Sequence, residues 1–128
     1  MTMIPMRRAQ ERPARILLVE DEIFIRMDVA AALRAAGFEV IEAARADAAL
    51  EFLESGEPLD LVFTDVQMPG DLDGLALAEL VRERYPMLPI LIGSGRWEVE
   101  GAASKLGRFI PKPYDPIGIV RLIATTMH

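Results

Sequence analysis

The sequence contains no cysteine, which excludes disulfides, thiolate nucleophiles and metal sites built on sulfur. Histidine is almost as scarce: the one example, His128, is the final residue, a poor place for a phosphohistidine, a metal ligand or a general base. Basic residues are outnumbered, 14 Lys and Arg against 20 Asp and Glu, and the net charge of −6 argues against wholesale attraction to phosphate backbones or anionic lipid. Direct DNA binding is therefore not expected. No apolar run approaches the roughly 20 residues of a membrane-spanning helix, and Met1 to Pro13 lacks the apolar stretch of a secretory signal. The expectation is a cytoplasmic chain with no membrane insertion.

What remains is the composition of one globular domain, 128 residues of which 52% are hydrophobic and 27% charged. The amino-terminal stretch differs from the rest. Arg7, Arg8, Arg12 and Arg15 face only Glu11, Pro5 and Pro13 interrupt it, and it has no apolar periodicity. Residues 1–13 are expected to form a flexible tail and residues 14–128 the domain. A basic contact for a partner is the alternative role for the tail.

From Arg15 onward, short apolar runs alternate with segments of helical period, the pattern that builds a parallel sheet covered on both faces. Strands are expected at 16–19, 39–43, 61–64, 90–92 and 108–110. Helices are expected at about 24–36, 46–54, 74–85 and 116–126, with Ile25, Val29, Leu33 and Ala36 forming the inward stripe of the first. Gly37 suits the end of that helix and Pro116 the start of the last. The segment from Gly95 to Leu106 has room for one or two helical turns at most, and Gly101 interrupts it.

Function in an open parallel sheet gathers beyond the carboxyl ends of the strands. The first strand runs into Glu20, Asp21 and Glu22, the third into Asp65, the fourth toward Ser94 and Gly95, and the fifth into Lys112 between Pro111 and Pro113. Carboxylates brought together repel one another unless a cation or a raised pKa relieves them, and oxygen ligands with open water positions favour magnesium. The plainer role for residues 20–22 is to begin the first helix, where acids suit the positive end of its dipole. Asp65 beside a metal can attack phosphorus to give an aspartyl phosphate, and such chemistry needs cations and donors around the phosphoryl oxygens. Lys112 supplies the first and Ser94 the second.

These residues resemble a known family, the receiver domains of bacterial two-component response regulators. The matching runs are Ile16 to Glu22, Leu61 to Gly70, Ser94-Gly95 and Phe109 to Tyr114, in the family's order and spanning the chain from about Ala14 onward. The resemblance implies an α/β fold of the flavodoxin-like, doubly wound kind: a (βα)5 three-layer sandwich with strand order 2-1-3-4-5, here with a short or irregular fourth helix. It implies that Asp65 is the phosphoacceptor, that Glu20, Asp21, Asp65 and the main-chain carbonyl of Gln67 hold Mg2+, and that Lys112 pairs with the phosphoryl oxygens. It further implies a cis peptide between Lys112 and Pro113, and a switch in which Ser94 turns toward the phosphoryl group while Phe109 swings inward. A permanently buried core ring is the alternative for Phe109.

Two departures from the family pattern stand out. The loop between Met68-Pro69 and Asp73-Gly74 is one residue longer than usual, and Lys112 lies only 18 residues after Ser94, so the fourth helix and the dimer contacts of that face are not expected to carry over. Trp97, next to the switch loop, suits either an exposed partner contact or the core. Gln67 and Arg96 occupy positions that in this family influence how long the phosphate lasts. After Pro113 there are 15 residues, enough for one closing helix of about 20 Å, and no output domain is expected.

The expectation is a stand-alone response regulator that takes a phosphoryl group from a sensor histidine kinase or histidine phosphotransfer protein onto Asp65. It would catalyse its own phosphorylation and dephosphorylation rather than turn over a substrate, and signal to an unknown protein target. Two other classes compete: a constitutive interaction module, and a magnesium-dependent phosphatase. The second usually carries another aspartate two residues after the nucleophile, where this chain has Gln67.

Overall fold

The computed structural model describes residues 12–68, 70 and 72–127. The expected tail lies outside the described residues except for Arg12 and Pro13, and Pro69, Asp71 and His128 also fall outside them. The chain runs β1 (Arg15–Val19), α1 (Ile23–Ala35), β2 (Glu39–Ala43), α2 (Ala46–Glu54), β3 (Leu61–Asp65), α3 (Gly74–Arg84) and β4 (Ile90–Ser94). It continues with a single 3-10 turn (Trp97–Val99), α4 (Glu100–Ser104), β5 (Arg108–Pro111) and α5 (Pro116–Thr126). The five strands form one parallel sheet in the order β2-β1-β3-β4-β5, as the resemblance implies.

Alternate residues of each strand point to opposite faces, and both faces are covered, which is why the strands read as unbroken apolar runs. Ile16 and Leu18 of β1, with Leu61 and Phe63 of β3, meet Val29 and Leu33 of α1 and Ile119 and Ile123 of α5. Leu17 and Val19, with Val62, face Ala49 and Leu53 of α2, Leu77 and Val81 of α3 and Ala103 of α4. At about 25 cal/mol per Å2 of apolar surface removed from water, these two layers are the dominant favourable contribution to folding.

The helix ends follow the sequence chemistry. Asp73 Oδ1 accepts from the Ala76 N–H at 2.8 Å, capping α3, and Gly37 has a φ of +96° just beyond α1. One expected inward residue is corrected: Ala36 is exposed. It sits at the C-cap with ψ near 2°, so the helical period no longer sets its direction, and Ala30 is buried on the inner face of α1 instead.

Helix α4 is five residues long, as the short interval from Ser94 to Lys112 predicts, and Ala103 is its buried residue. Arg82 reaches across from α3 to strengthen this thin corner: its Nε and Nη2 donate to the Leu106 carbonyl at 3.0 and 2.8 Å. Among the described residues, no helix is long and apolar enough to cross a membrane.

Candidate functional site

The register of the sheet assembles the site. Val19 pairs with Thr64, so Glu20 emerges beside Asp65; Asp65 pairs with Gly93, so Ser94 follows one step further on; Ser94 pairs with Pro111, so Lys112 comes next. Glu20, Asp65 and Ser94 are all buried, at 2%, 3% and 1% exposure, while Asp21 stands exposed at the rim. One carboxylate oxygen from each of Glu20, Asp21 and Asp65 lies within 4.8 Å of the others. Lys112 Nζ sits 3.2 Å from Glu20 Oε1 and 3.3 Å from Asp65 Oδ2, and the Lys112–Pro113 peptide is cis.

A second close approach holds Asp65 in place. The first residue of α3 is Gly74, and a Cβ there would lie 1.6 Å from the Asp65 carbonyl oxygen. Only a residue without a side chain lets this helix start press against the end of β3. Its N–H donates to the Val66 carbonyl at 2.9 Å, and Thr64 Oγ1 donates to the Asp65 carbonyl at 3.0 Å.

The electrostatics follow from burial. Removal from water pushes the Asp65 carboxyl above its usual range; Lys112 pulls it back and the charge of Asp21 adds to the rise. Glu20 is also raised, by burial first and then by the charge of Asp65, against the opposing pull of the Glu22 amide and Lys112. Burial alone would lower Lys112, but the charges of Asp65 and Glu20 outweigh it and its pKa rises. One lysine thus serves two buried acids.

Among the described residues, two buried carboxylate oxygens remain short of hydrogen-bond partners. Asp65 Oδ1 is buried with none, and Glu20 Oε1 has the lysine nearby without hydrogen-bond geometry. Its other oxygen, Oε2, accepts from the Glu22 N–H at 3.0 Å at the start of α1, so the helix-start role for these acids holds for that one atom. A buried carboxylate oxygen without a donor is costly unless a cation meets it. Two such oxygens, with exposed Asp21 closing the group toward solvent, fit a hard, oxygen-seeking cation.

The Ser94 hydroxyl is committed on both sides. Its Oγ donates to Gln67 Oε1 at 3.0 Å and accepts from the Arg96 N–H at 3.0 Å. Phe109 is half-buried against the layer formed by α2, α3 and α4, so it is neither a sealed core ring nor a free surface one. Trp97 is 78% exposed, which settles its placement outside the core.

Sequence reasoning missed the pairing of Gly93 with Tyr114. The Tyr114 ring packs edge-on to Phe63, with centroids 5.2 Å apart, and its hydroxyl is buried without a partner. A Cβ on Gly93 would fall 1.7 Å from that hydroxyl. Burial, followed by the charges of Asp65 and Glu20, drives the phenol pKa upward, so it stays protonated. A glycine inside a strand next to the expected switch hydroxyl was the available signal, since such glycines mark close approach. The side-chain bond from Ser94 to Gln67 had no sequence signature. A groove of about 420 Å3, bordered by Leu53, Leu59, Tyr85 and Leu88, opens at the amino ends of β3 and β4, away from these acids.

A strand-end carboxylate trio with a lysine on this fold defines a class, and comparison with known proteins agrees. The sequence model of the response regulator receiver domain matches residues 16–124, and the chain belongs to that family. An NtrX-like response regulator of Rickettsia felis is 37% identical over 113 residues, 84% of this chain and 24% of the relative. The DNA-binding transcriptional regulator NtrC of Escherichia coli K12 is 33% identical over 112 residues, again 84% of this chain and 24% of that protein. The chain therefore spans about a quarter of the length of these curated relatives. Among solved structures, a response regulator receiver protein from Sinorhizobium medicae superposes with a TM-score of 0.83 at 29% identity, covering 91% of this chain and 95% of that one.

Proposed function

We propose that this chain accepts a phosphoryl group on Asp65 from the phosphohistidine of a histidine kinase or phosphotransfer protein and signals by altered protein contacts. The observation that carries the reading is the state of the Asp65 carboxylate: buried, with Oδ2 at Lys112 and Oδ1 without a partner. One oxygen of this carboxylate attacks phosphorus while the other stays with the cation. As the new O–P bond forms, the P–N bond to the donor imidazole breaks, and its electron pair returns to the ring nitrogen. Lys112 then serves the phosphoryl oxygens, and the Ser94 hydroxyl turns toward them. Phe109, half-buried beside β4, is free to follow. Bound Mg2+, held by Glu20, Asp21, Asp65 and the main-chain carbonyl of Gln67, supplies positive charge that offsets the meeting of two anions.

The donor has a place to land. Ile23, Phe24 and Met27, exposed on the first turns of α1, come soon after Glu20 and Asp21 in the chain and present an apolar surface beside them. A helix carrying the phosphohistidine suits such a surface. Once formed, the acyl phosphate is hydrolysed within the same site, so the chain acts on its own phosphate instead of turning over a separate substrate.

The test is incubation with acetyl phosphate and magnesium, followed by intact-mass analysis. The wild type should gain one phosphoryl group and Asp65→Asn none. A wild type left unmodified by acetyl phosphate and by phosphohistidine donors would refute the proposal. Multiple-turnover hydrolysis of phosphate esters would favour a phosphatase instead.

A further inference from the structure

The Ser94 hydroxyl has one proton, and the fold already uses it. Its oxygen accepts from the Arg96 N–H, so the proton is what it offers to Gln67, whose amide oxygen receives it at 3.0 Å. The Ser94 main chain is pinned as well: its carbonyl accepts from the Lys112 N–H at 2.9 Å, and the residue pairs with Pro111 in the sheet. Rotation about the side-chain bond is the freedom that remains, and a hydroxyl cannot donate to Gln67 and to a phosphoryl oxygen with the same proton.

We propose that the Gln67 side chain is a positioning residue, a resting-state acceptor that competes with the phosphoryl group for the Ser94 hydroxyl and thereby sets how readily the switch is thrown. This rests on the reading of Asp65 as phosphoacceptor. The role belongs to the side chain alone and is separate from the main-chain carbonyl assigned to the metal. The hold is modest by design of its surroundings: Ser94 is buried, but Gln67 is exposed, so water competes for its amide and the net worth is that of an ordinary hydrogen bond. Removing the acceptor also leaves a buried hydroxyl proton unpaired in the resting state, which pushes the equilibrium in the same direction.

Two measurements test this, and they separate the latch from the chemistry beneath it. The first needs no phosphoryl group. The Arg96 amide donates to Ser94 Oγ only while the hydroxyl keeps its present rotamer, so its hydrogen exchange in metal-free protein should quicken in Gln67→Leu. Unchanged Arg96 protection overturns the latch whatever Asp65 does.

The second titrates beryllofluoride, a phosphoryl mimic, at saturating magnesium, and reads Trp97, the single tryptophan, three residues beyond Ser94 and exposed. Half-saturation in Gln67→Leu should fall about fivefold below wild type, the worth of one ordinary net hydrogen bond. In a Ser94→Ala background the same substitution should change it by less than about twofold, because no hydroxyl remains to be released. Gln67→Met should behave like Gln67→Leu. A rise or no change in the Ser94-containing protein, or an equal effect without the hydroxyl, overturns the proposal. Failure of wild type to bind the mimic, read by fluorine NMR, refutes the phosphoacceptor reading and with it any role for Gln67 in that switch.

Discussion

Replacing Asp65 with Asn should make the protein more stable at neutral pH while abolishing its chemistry. The folded chain raises the Asp65 pKa, which means that burial and the charge of Asp21 together outweigh the attraction of Lys112. An ionised Asp65 is therefore worse placed in the folded state than in the unfolded one, and a neutral amide of the same shape removes that cost. Lys112 keeps Glu20 at 3.2 Å, so the cation is not orphaned. The amide gives up the Lys112 contact at 3.3 Å, and exposed Asp21 marks a rim open to solvent screening, so the net gain is small, about 1 kcal/mol. The pH dependence has a fixed sign. A carboxyl whose folded pKa is raised contributes stability fully present below its unfolded pKa, about 3.9, and lost as pH rises through the folded value. The advantage of Asn should thus vanish in acid, grow above about pH 4, and level off once pH exceeds the raised pKa. Magnesium should narrow the gap, since a ligand that prefers the wild-type native state stabilises it by about 2.7 kcal/mol at a hundredfold excess over its Kd. Urea unfolding at acid and neutral pH, in chelator and in magnesium, measures all of this. An Asn variant less stable than wild type at pH 7 in chelator, or a gap indifferent to pH, would refute the reasoning.

Gly93→Ala should cost about 1–3 kcal/mol, because its Cβ lands on the Tyr114 hydroxyl, and Tyr114→Phe should relieve part of that loss while by itself leaving stability unchanged or slightly higher; unfolding midpoints of the two single variants and the double variant decide. Glu20→Gln and Asp21→Asn should each weaken magnesium binding several-fold in calorimetric titration, and an unaltered affinity would place the ion elsewhere. Lys112→Met leaves two buried carboxylates without their cation, so it should cost about 3 kcal/mol at pH 7 and progressively less as acid protonates them, a trend read from the same urea series.

Much of this protein was legible in its order of residues, and the reason is locality. Apolar runs and helical spacing report the environment of a segment, so the five strands and the long helices fall within a residue or two of their expected places. The acids after β1, Asp65 at the end of β3 and Lys112 after β5 were readable because a parallel sheet collects its strand ends on one rim. The 18 residues between Ser94 and Lys112 likewise limited α4 before its geometry was seen.

Only the folded chain decided which distant groups meet. Sheet register brings Lys112 to both Glu20 and Asp65, and the missing side chains of Gly74 and Gly93 admit the Asp65 backbone and the Tyr114 hydroxyl. The same is true of the proton shared between Ser94 and Gln67, 27 residues apart. No period in the sequence encodes these pairs, because each depends on two segments arriving at hydrogen-bond or van der Waals distance, a condition set by how the layers pack and by nothing within either segment alone.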